Sequence, residues 1–429
     1  MSMVLAKLFI SVVVCVIGIL GLRFHSKLRN THIVAYYGVR LGLMAVLVFM
    51  LKKIPPDVVG YFELAQRVLL GEVPNRDFTS PYGFLYNYLV TTSCCIYKHE
   101  FSIITLFIIL ECCGLLLIRK SLHKIIGDAG LVNKAIILYL FSPIILQTLW
   151  LGAQDEALQV MLVGVLLYLY AQKKENSVTV LSVIGMGVTK IFSAWLVAPF
   201  LMAYRTSKWF LFLFLITLYY GVLALFKVKP FSTTFEFSSN QAGHTLADIL
   251  TSGNIWWLVQ KILGTVPEHI PEGLILVLFG MIFIFCLSGC KSSPSQKANI
   301  VLPDAVFAGL ILFPLFFNIF YKMTFIVYLA YAIPFINIFM LRDTPKLAYK
   351  VYFVWAILYS VDSTFCWRIL GSPMSNSLSV LTFAYEFLLV MLSLYLIAVV
   401  VRHYMRDGYS LKKGFLQIKE RVFKLNESF

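Results

Sequence analysis

Long apolar runs separated by short basic clusters are the feature that most constrains this chain. The runs that could cross a bilayer are 3–22, 34–51, 101–118, 133–151, 157–172, 209–226, 274–290, 302–320, 324–341, 347–361 and 378–401. Backbone polar groups inside a bilayer must bond within their own segment, so such runs form helices. The sequence predicts an all-α polytopic membrane protein with about 11–13 transmembrane helices, each needing roughly 20 apolar residues.

Composition and charge placement exclude a soluble protein and a nucleic-acid binder. Of 429 residues, 60% are hydrophobic and 13% are charged, whereas soluble domains carry about 25% charged residues. The net charge of +15 comes from basic clusters that lie between the apolar runs. That placement is typical of cytoplasmic loops and attracts anionic lipid. We therefore expect membrane lipid as a partner and no nucleic acid.

The basic clusters also predict the topology. Two segments decide it: a short apolar run at 83–97, and a run at 178–203 that carries Lys190 in its middle. Suppose that the run 83–97 enters the membrane without crossing it and that the run 178–203 enters and leaves on the same side. Every basic cluster then lies on one face of the membrane. We therefore expect a single transmembrane domain over 1–429. Its parts are a catalytic non-cytoplasmic loop at 52–82, a long non-cytoplasmic loop at 227–273 and a basic cytoplasmic tail at 402–429.

The first of these loops has the pattern of a site. Two prolines precede Asp57, which is placed to cap a short amphipathic juxtamembrane helix with Tyr61 and Ala65 on its apolar face. Gly71 is placed to end that helix. An ionisable residue beside a membrane is expensive unless it has a function, which favours a functional role for Asp57.

Further polar residues are expected on the same face. They are Gln154, Asp155 and Glu156 at a corner, His244 in the long loop, and Lys322. Acids and amides of this kind can bond the hydroxyl groups of a sugar. Asp155 and Glu156 could equally cap the helix that starts at Ala157. Trp256 and Trp257 are better interpreted as an interfacial belt than as a sugar platform.

Four motifs follow one another between residues 50 and 340. They are Asp57, Tyr61, Ala65, Gly71, Pro74, Phe78 and Pro81 in the first loop; Ser142-Pro143 with the corner from Gly152 to Ala157; Gly187 to Lys190 with Pro199; and Asn318 to Pro334. In this order and spacing they resemble the motifs of integral-membrane glycosyltransferases of the GT-C superfamily. The last motif is similar to that of the single-lobed mannosyltransferases.

The resemblance implies a GT-C-like bundle and an inverting transfer. The donor would be a polyprenyl-phosphate sugar carrying a hexose (mannose-like) or a pentose, and the acceptor a lipid-linked glycan or glycolipid. An acceptor hydroxyl must lose its proton as the bond forms, and Asp57 is the candidate base. Substrate contacts are expected from Tyr61, Asp77, Gln154, Asp155, Glu156, Lys190, His244 and Lys322.

The leaving phosphate needs cations that are in place before the reaction, and Lys190 and Lys322 are the candidates. Lys322 could instead snorkel to the interface. Lys190 lies among small residues in mid-run, where a lysine without a partner is expensive, so a functional role is favoured. The pattern requires no cofactor, although Asp57 and Asp155 could together hold Mg²⁺ or Mn²⁺.

Two other classes stay open. A transporter or flippase for a lipid-linked sugar would also use broken helices and a lysine at mid-depth, but no internal repeat relates the two halves. A polysaccharide polymerase or ligase would use arginines and histidines on the non-cytoplasmic face, whereas the main candidate residue on this face is the acid Asp57. The compact length and the lack of a soluble domain favour a bacterial inner membrane, with the endoplasmic reticulum membrane as the alternative.

Overall fold

A computed structural model gives the fold of this chain; it describes residues 2–146, 149, 153–189, 194–203, 206–228, 253–264, 270–289, 304–321, 326–364 and 380–426. The α-helices are α1 (Ser2–Gly21), α2 (Asn30–Ala45), α3 (Pro56–Leu69), α4 (Phe84–Ile96), α5 (Glu100–Ile126), α6 (Ala129–Leu140), α7 (Pro143–Ile145), α8 (Ala157–Ala171), α9 (Glu175–Val188), α10 (Ala194–Met202), α11 (Thr206–Leu225), α12 (Ile255–Leu263), α13 (Ile270–Leu287), α14 (Asp304–Phe320), α15 (Ile333–Arg342), α16 (Lys346–Thr364), α17 (Val380–Arg406) and α18 (Leu411–Asn426). Within these ranges the only β pairing is an isolated bridge between Pro74 and Phe78.

Several helices have the length and composition of membrane spans. In the described part of the chain five qualify: Leu8–Lys27, Asn30–Met50, Glu100–Ile126, Ser207–Leu225 and Phe383–Arg406. Shorter apolar helices such as Ala157–Ala171 and Asp304–Phe320 accompany them. The predicted all-α class is therefore confirmed, with helices able to cross a membrane. The larger predicted number of spans remains a prediction.

The outer surface of α11 fits this class. Phe210, Leu213, Phe214 and Leu218 are all more than half exposed on one helix. Soluble monomers seldom expose contiguous apolar patches of more than a few hundred Å². A hydrocarbon environment removes that penalty, so α11 is suited to contact lipid directly.

The chain forms two compact units. The first unit comprises Met1–Ser26, Asp128–Leu146 and His244–Phe429, and the second unit comprises Lys27–Gly127 and Gln147–Gly243. Each has its own core, and Asp57, Tyr61, Gln154 and Asp155 all lie in the second unit.

Glycines set the tightest helix crossing of the second unit. A Cβ on Gly114 of α5 would collide with the backbone of Met161 in α8, and a Cβ on Gly164 would collide with the carbonyl of Gly114. Small residues of this kind let helices in membranes approach backbone to backbone. Because α8 starts at Ala157, this crossing also fixes the chain that leads into α8.

Buried polar side chains of the first unit are paired. The Asn337 amide donates to the Ala135 carbonyl at 3.1 Å and accepts from Tyr352 Oη at 2.9 Å. The Trp355 indole donates to Ser393 Oγ at 2.8 Å. Each bond satisfies a group that would be expensive to bury alone, so these contacts hold α6, α15, α16 and α17 in register.

Trp256 and Trp257 lie in α12 and are core residues of the first unit. Both indoles are buried in a cluster with Leu258 and Val390. Trp256 Nε1 also donates to the Phe320 carbonyl at 2.6 Å. The predicted interfacial belt is therefore wrong, because the side chains pack inward against α14 and α17 instead of facing a membrane surface.

Candidate functional site

A short helix, α3, forms in the first loop as predicted, but it begins one residue before Asp57. Pro55 holds the cap position and Pro56 the first helical position, where proline's fixed φ favours a helix start. Asp57 thus lies inside the first turn and makes no cap hydrogen bond, which corrects the predicted capping role. Its Oδ2 instead accepts a hydrogen bond from Gln154 Nε2.

The end of α3 is as predicted. Gly71 has φ +89°, a left-handed conformation that glycine adopts without strain. The N–H of Gly71 bonds the Val68 carbonyl at 3.0 Å, and the N–H of Glu72 bonds the Arg67 carbonyl at 3.1 Å. These bonds satisfy carbonyls at the helix end, so α3 stops where the loop must turn back.

Tyr61 connects α3 to the polar corner. Its hydroxyl donates to Asp155 Oδ1 at 3.0 Å, and both side chains are buried. Burial, followed by the neighbouring Asp155 carboxylate, raises the pKa of Tyr61. The phenol therefore stays protonated and keeps donating to the carboxylate. Asp57 and Asp155, which the sequence places in separate motifs, are brought together through Gln154 and Tyr61.

The corner enters α8 without the predicted side-chain cap. Glu156 holds the cap position of α8 but its side chain makes no cap hydrogen bond. Backbone carbonyls of Asp155 and Glu156 accept from Leu158 and Gln159, each at 2.9 Å. Ala153 before them has φ +46°, a left-handed conformation that is unfavourable for alanine. The Asp155 carboxylate is thus used toward Tyr61.

An aromatic wall stands beside the two carboxylates. Tyr82 and Tyr86 stack with centroids 4.2 Å apart at 22°. Tyr61 meets Tyr82, Tyr86 and Phe107 edge-on, at centroid distances of 5.5, 5.9 and 5.6 Å. Edge-to-face and offset-stacked rings of this kind are favourable pairings, so the wall is a packed and ordered surface.

Tyr86 is a site residue that the sequence analysis missed. Its side chain is 1% exposed, and its hydroxyl has no hydrogen-bond partner among the described residues. The hydroxyl lies within electrostatic range of Asp155, Glu156 and Asp57. The available signal was the presence of two tyrosines, Tyr82 and Tyr86, on either side of the point where α4 begins.

Asp77 bonds within its own turn. Its carboxylate accepts from the Val73 N–H at 2.7 Å and from the Arg76 guanidinium at 2.9 Å. The hydrogen bonds from Arg76, with that from Val73, lower the pKa of Asp77 to about 2. Arg67 lies over the Phe78 ring at 4.4 Å and braces the same turn. Asp77 therefore shapes the loop, and its predicted substrate contact remains a prediction.

The first loop returns to the end of α9. The Gly83 N–H donates to the Thr189 carbonyl at 3.1 Å, and a Cβ on Gly83 would collide with the carbonyls of Gly187 and Thr189. Glycine is needed for this approach. Thr189 is followed by Lys190 in the sequence, but Lys190, His244 and Lys322 lie outside the described residues. Their predicted roles remain predictions.

A buried ion pair lies in the same unit and was also missed. Arg40 of α2 pairs with Glu111 of α5, with both side chains almost fully buried. Tyr37 Oη donates to Glu111 at 2.9 Å, and Arg40 also bonds the Leu149 carbonyl, just before the corner. Opposite charges in the middle of two apolar runs were the available signal.

No metal centre is formed by the part of the chain that the structure describes. There, no three His, Cys, Asp or Glu side chains come together as ligands. A divalent cation between Asp57 and Asp155 remains a prediction, and it would need further oxygen ligands from a substrate or water.

No protein-family model, no curated protein and no solved structure matches this chain. The chemistry of the site must therefore be argued from its side chains. They provide an exposed carboxylate held by an amide, a buried carboxylate held by a phenol, and an aromatic wall next to both. Such a set can accept a proton from a hydroxyl and bond the other hydroxyls of a polar ligand.

Proposed function

We propose that this chain is a membrane glycosyltransferase of the GT-C type. It moves a hexose (mannose-like) or a pentose from a polyprenyl-phosphate sugar to a glycan or glycolipid acceptor on the non-cytoplasmic face. The observation that carries the proposal is the convergence of Asp57 and Asp155 around Gln154 and Tyr61. A bacterial inner membrane is the proposed location, with the endoplasmic reticulum membrane as the alternative.

In the proposed reaction Asp57 is the general base. Its side chain is exposed, and the amide of Gln154 bonds Oδ2 and so orients the carboxylate. Oδ1 then takes the proton of the acceptor hydroxyl while that oxygen attacks the anomeric carbon. The polyprenyl phosphate leaves from the opposite side of the sugar, which inverts the configuration.

Asp155 and the aromatic wall would position the sugars. Tyr61 donates to Oδ1 of Asp155 and so orients this buried carboxylate beside the proposed sugar site. Rings such as Tyr82 offer apolar faces to the C–H groups of a pyranose. Lys190 would stabilise the departing phosphate, because charge develops there in the transition state.

A transporter of a lipid-linked sugar is the second candidate, because one observation favours it. Helix α9 ends at Val188, Thr189 is extended, and a helix is present again from Ala194. Transporters place broken helices of this kind at their binding sites. A broken helix can also line an enzyme's cavity, so this observation alone does not distinguish the two.

Incubation of the purified protein with a panel of polyprenyl-phosphate sugars tests the proposal. We expect release of the lipid phosphate with at least one donor, together with formation of a glycosylated acceptor when a cell-envelope lipid extract is supplied. A transporter would release no lipid phosphate from any donor. Movement of intact donor across proteoliposomes without cleavage would support the transporter instead.

A further inference from the structure

The last helix of the chain, α18, follows a tight turn directly after the apolar helix α17. Gly408 has φ +85° and donates to the Met405 carbonyl at 3.0 Å. Ser410 Oγ accepts from the Lys413 N–H at 3.2 Å and so caps the new helix. The chain therefore changes from a membrane-span composition to a basic helix within a few residues.

Helix α18 is docked on the end of α13. A Cβ on Gly414 would collide with the backbone of Ile284, and the Ser410 N–H donates to Ser288 Oγ at 3.1 Å. Gln417 Nε2 adds a contact to the Ser288 carbonyl at 3.4 Å. The docking point thus lies where α13 ends at Leu287, at the level where the turn after α17 also lies. The apolar helices α13 and α17 therefore both end near this point.

The outward side of α18 combines cations with exposed apolar side chains. Phe415 is 58% exposed and Leu416 is 54% exposed. The exposed lysines Lys412, Lys413 and Lys419 flank them. Apolar side chains beside lysines on a helix at the end of membrane spans are typical of helices that lie in the bilayer interface.

We propose that α18 is an interfacial helix that binds the headgroups of anionic phospholipids. Phe415 and Leu416 would enter the boundary between headgroups and acyl chains, and the three lysines would bind the lipid phosphates. The exposed acids Asp407 and Glu420 lie at the two ends of this lysine group and leave its centre positive. This inference does not depend on the proposed glycosyl transfer.

The charge pattern favours lipid over a protein partner. Arg402 and Arg406 at the end of α17 are exposed as well, so exposed positive charge occurs on both sides of the turn after α17. An extended anionic surface offers a phosphate to each of these exposed cations. Because each cation near such a surface contributes separately, binding should weaken with every lysine removed.

Fluorescence in proteoliposomes tests the proposal on the full chain. Phe415→Cys, in a background without other cysteines, carries an environment-sensitive fluorophore. We expect a blue-shifted emission in phosphatidylcholine–phosphatidylglycerol liposomes relative to phosphatidylcholine alone, and loss of that difference at high salt. A probe at Gln417→Cys, about 160° around the helix from residue 415 and on the side that contacts Ser288, should show little difference.

Neutral variants complete the test. Lys412→Gln with Lys413→Gln and Lys419→Gln should remove most of the lipid-dependent shift. Lys173→Gln with Lys174→Gln, in an exposed turn elsewhere, should leave it unchanged. Equal spectra at Phe415→Cys in the two lipids would overturn the proposal. So would equal shifts at both probe positions, or a shift in which salt has no effect, since either would leave lipid charge without a role.

Discussion

Tyr61 and Asp155 lie 94 residues apart in the sequence, and a hydrogen bond of 3.0 Å joins them. The bond joins α3 to the polar corner before α8. Asp57 makes a parallel connection to Gln154. Two carboxylates therefore belong to one site, which two neighbouring hydrogen bonds hold together.

Asp57→Asn should abolish glycosyl transfer. The amide keeps the size of the carboxylate and a carbonyl for Gln154, but it cannot accept a proton. We expect the rate of lipid-phosphate release to fall about 10²–10⁴-fold with an unchanged melting temperature. Glu63→Gln removes an exposed carboxylate from the same helix and is the matched control. A rate within a factor of a few of wild type would rule out Asp57 as the base.

Tyr61→Phe should destabilise the protein. It removes the donor from a buried carboxylate, and hydrogen bonds to charged groups contribute about 1.5–3 kcal/mol. We expect a lower melting temperature in detergent and faster proteolysis near the corner. Tyr88→Phe is the control, because Tyr88 is exposed and its ring contact with Phe84 survives the change. Equal melting temperatures for both variants would show that the Tyr61–Asp155 bond adds little to stability.

Tyr86→Phe, in contrast, should not destabilise the protein. Its buried hydroxyl has no partner among the described residues, so its removal should leave the melting temperature unchanged or slightly raised. If the hydroxyl donates to a bound sugar or phosphate, substrate affinity should fall about tenfold, the equivalent of one ordinary hydrogen bond. Titration of donor binding and a melting curve on one preparation measure both quantities. Unchanged affinity would leave Tyr86 as a packing residue.

The Arg40–Glu111 pair should show strong non-additivity. Arg40→Met or Glu111→Leu alone strands a buried charge, which costs about 3–5 kcal/mol. The double variant removes both charges and should recover much of that loss. Unfolding of the four proteins, followed by tryptophan fluorescence in denaturant, gives the coupling energy. Additive losses would mean that the two side chains do not depend on each other.

Lys190→Met should separate a phosphate role from a structural one. Methionine is less costly in a bilayer than lysine, so insertion should be preserved. A phosphate contact predicts weaker donor binding, with partial recovery in Lys190→Arg, because the charge is kept but its geometry changes. A structural role predicts a lower melting temperature with normal donor affinity, and that result would exclude a role of Lys190 in binding the phosphate.

Local signals in the sequence predicted α3 and its end at Gly71, because turn chemistry acts over a few residues. The cap was predicted two residues late, since Pro55 rather than Asp57 holds that position. The meeting of Asp57 with Gln154 could be inferred only by resemblance. Periodicity gives the face of a helix but not which distant segment packs on it.

Hydropathy averaging hid the other missed residues. Arg40 and Glu111 each lie in a run whose mean hydropathy is high enough for a membrane span. Each run was therefore predicted as a span, and its single charged residue was overlooked. Trp256 and Trp257 were predicted at the interface from residue type alone. Their burial depends on Val390, which is more than a hundred residues away, and no local pattern records that contact.

Because Gly114 and Gly164 have no side chains, α5 and α8 can cross with their backbones in contact, and this crossing sets the position of α8. The corner that carries Asp155 begins about two helical turns from Gly164, and α8 transmits any displacement of that crossing as a rigid rod. A single methyl group at Gly114 would push α8 away from α5 and so displace Asp155, without touching a substrate. If the proposed function is correct, larger residues at these glycines should lower the activity as the loss of a site residue does, although neither glycine has a side chain that could take part in the reaction.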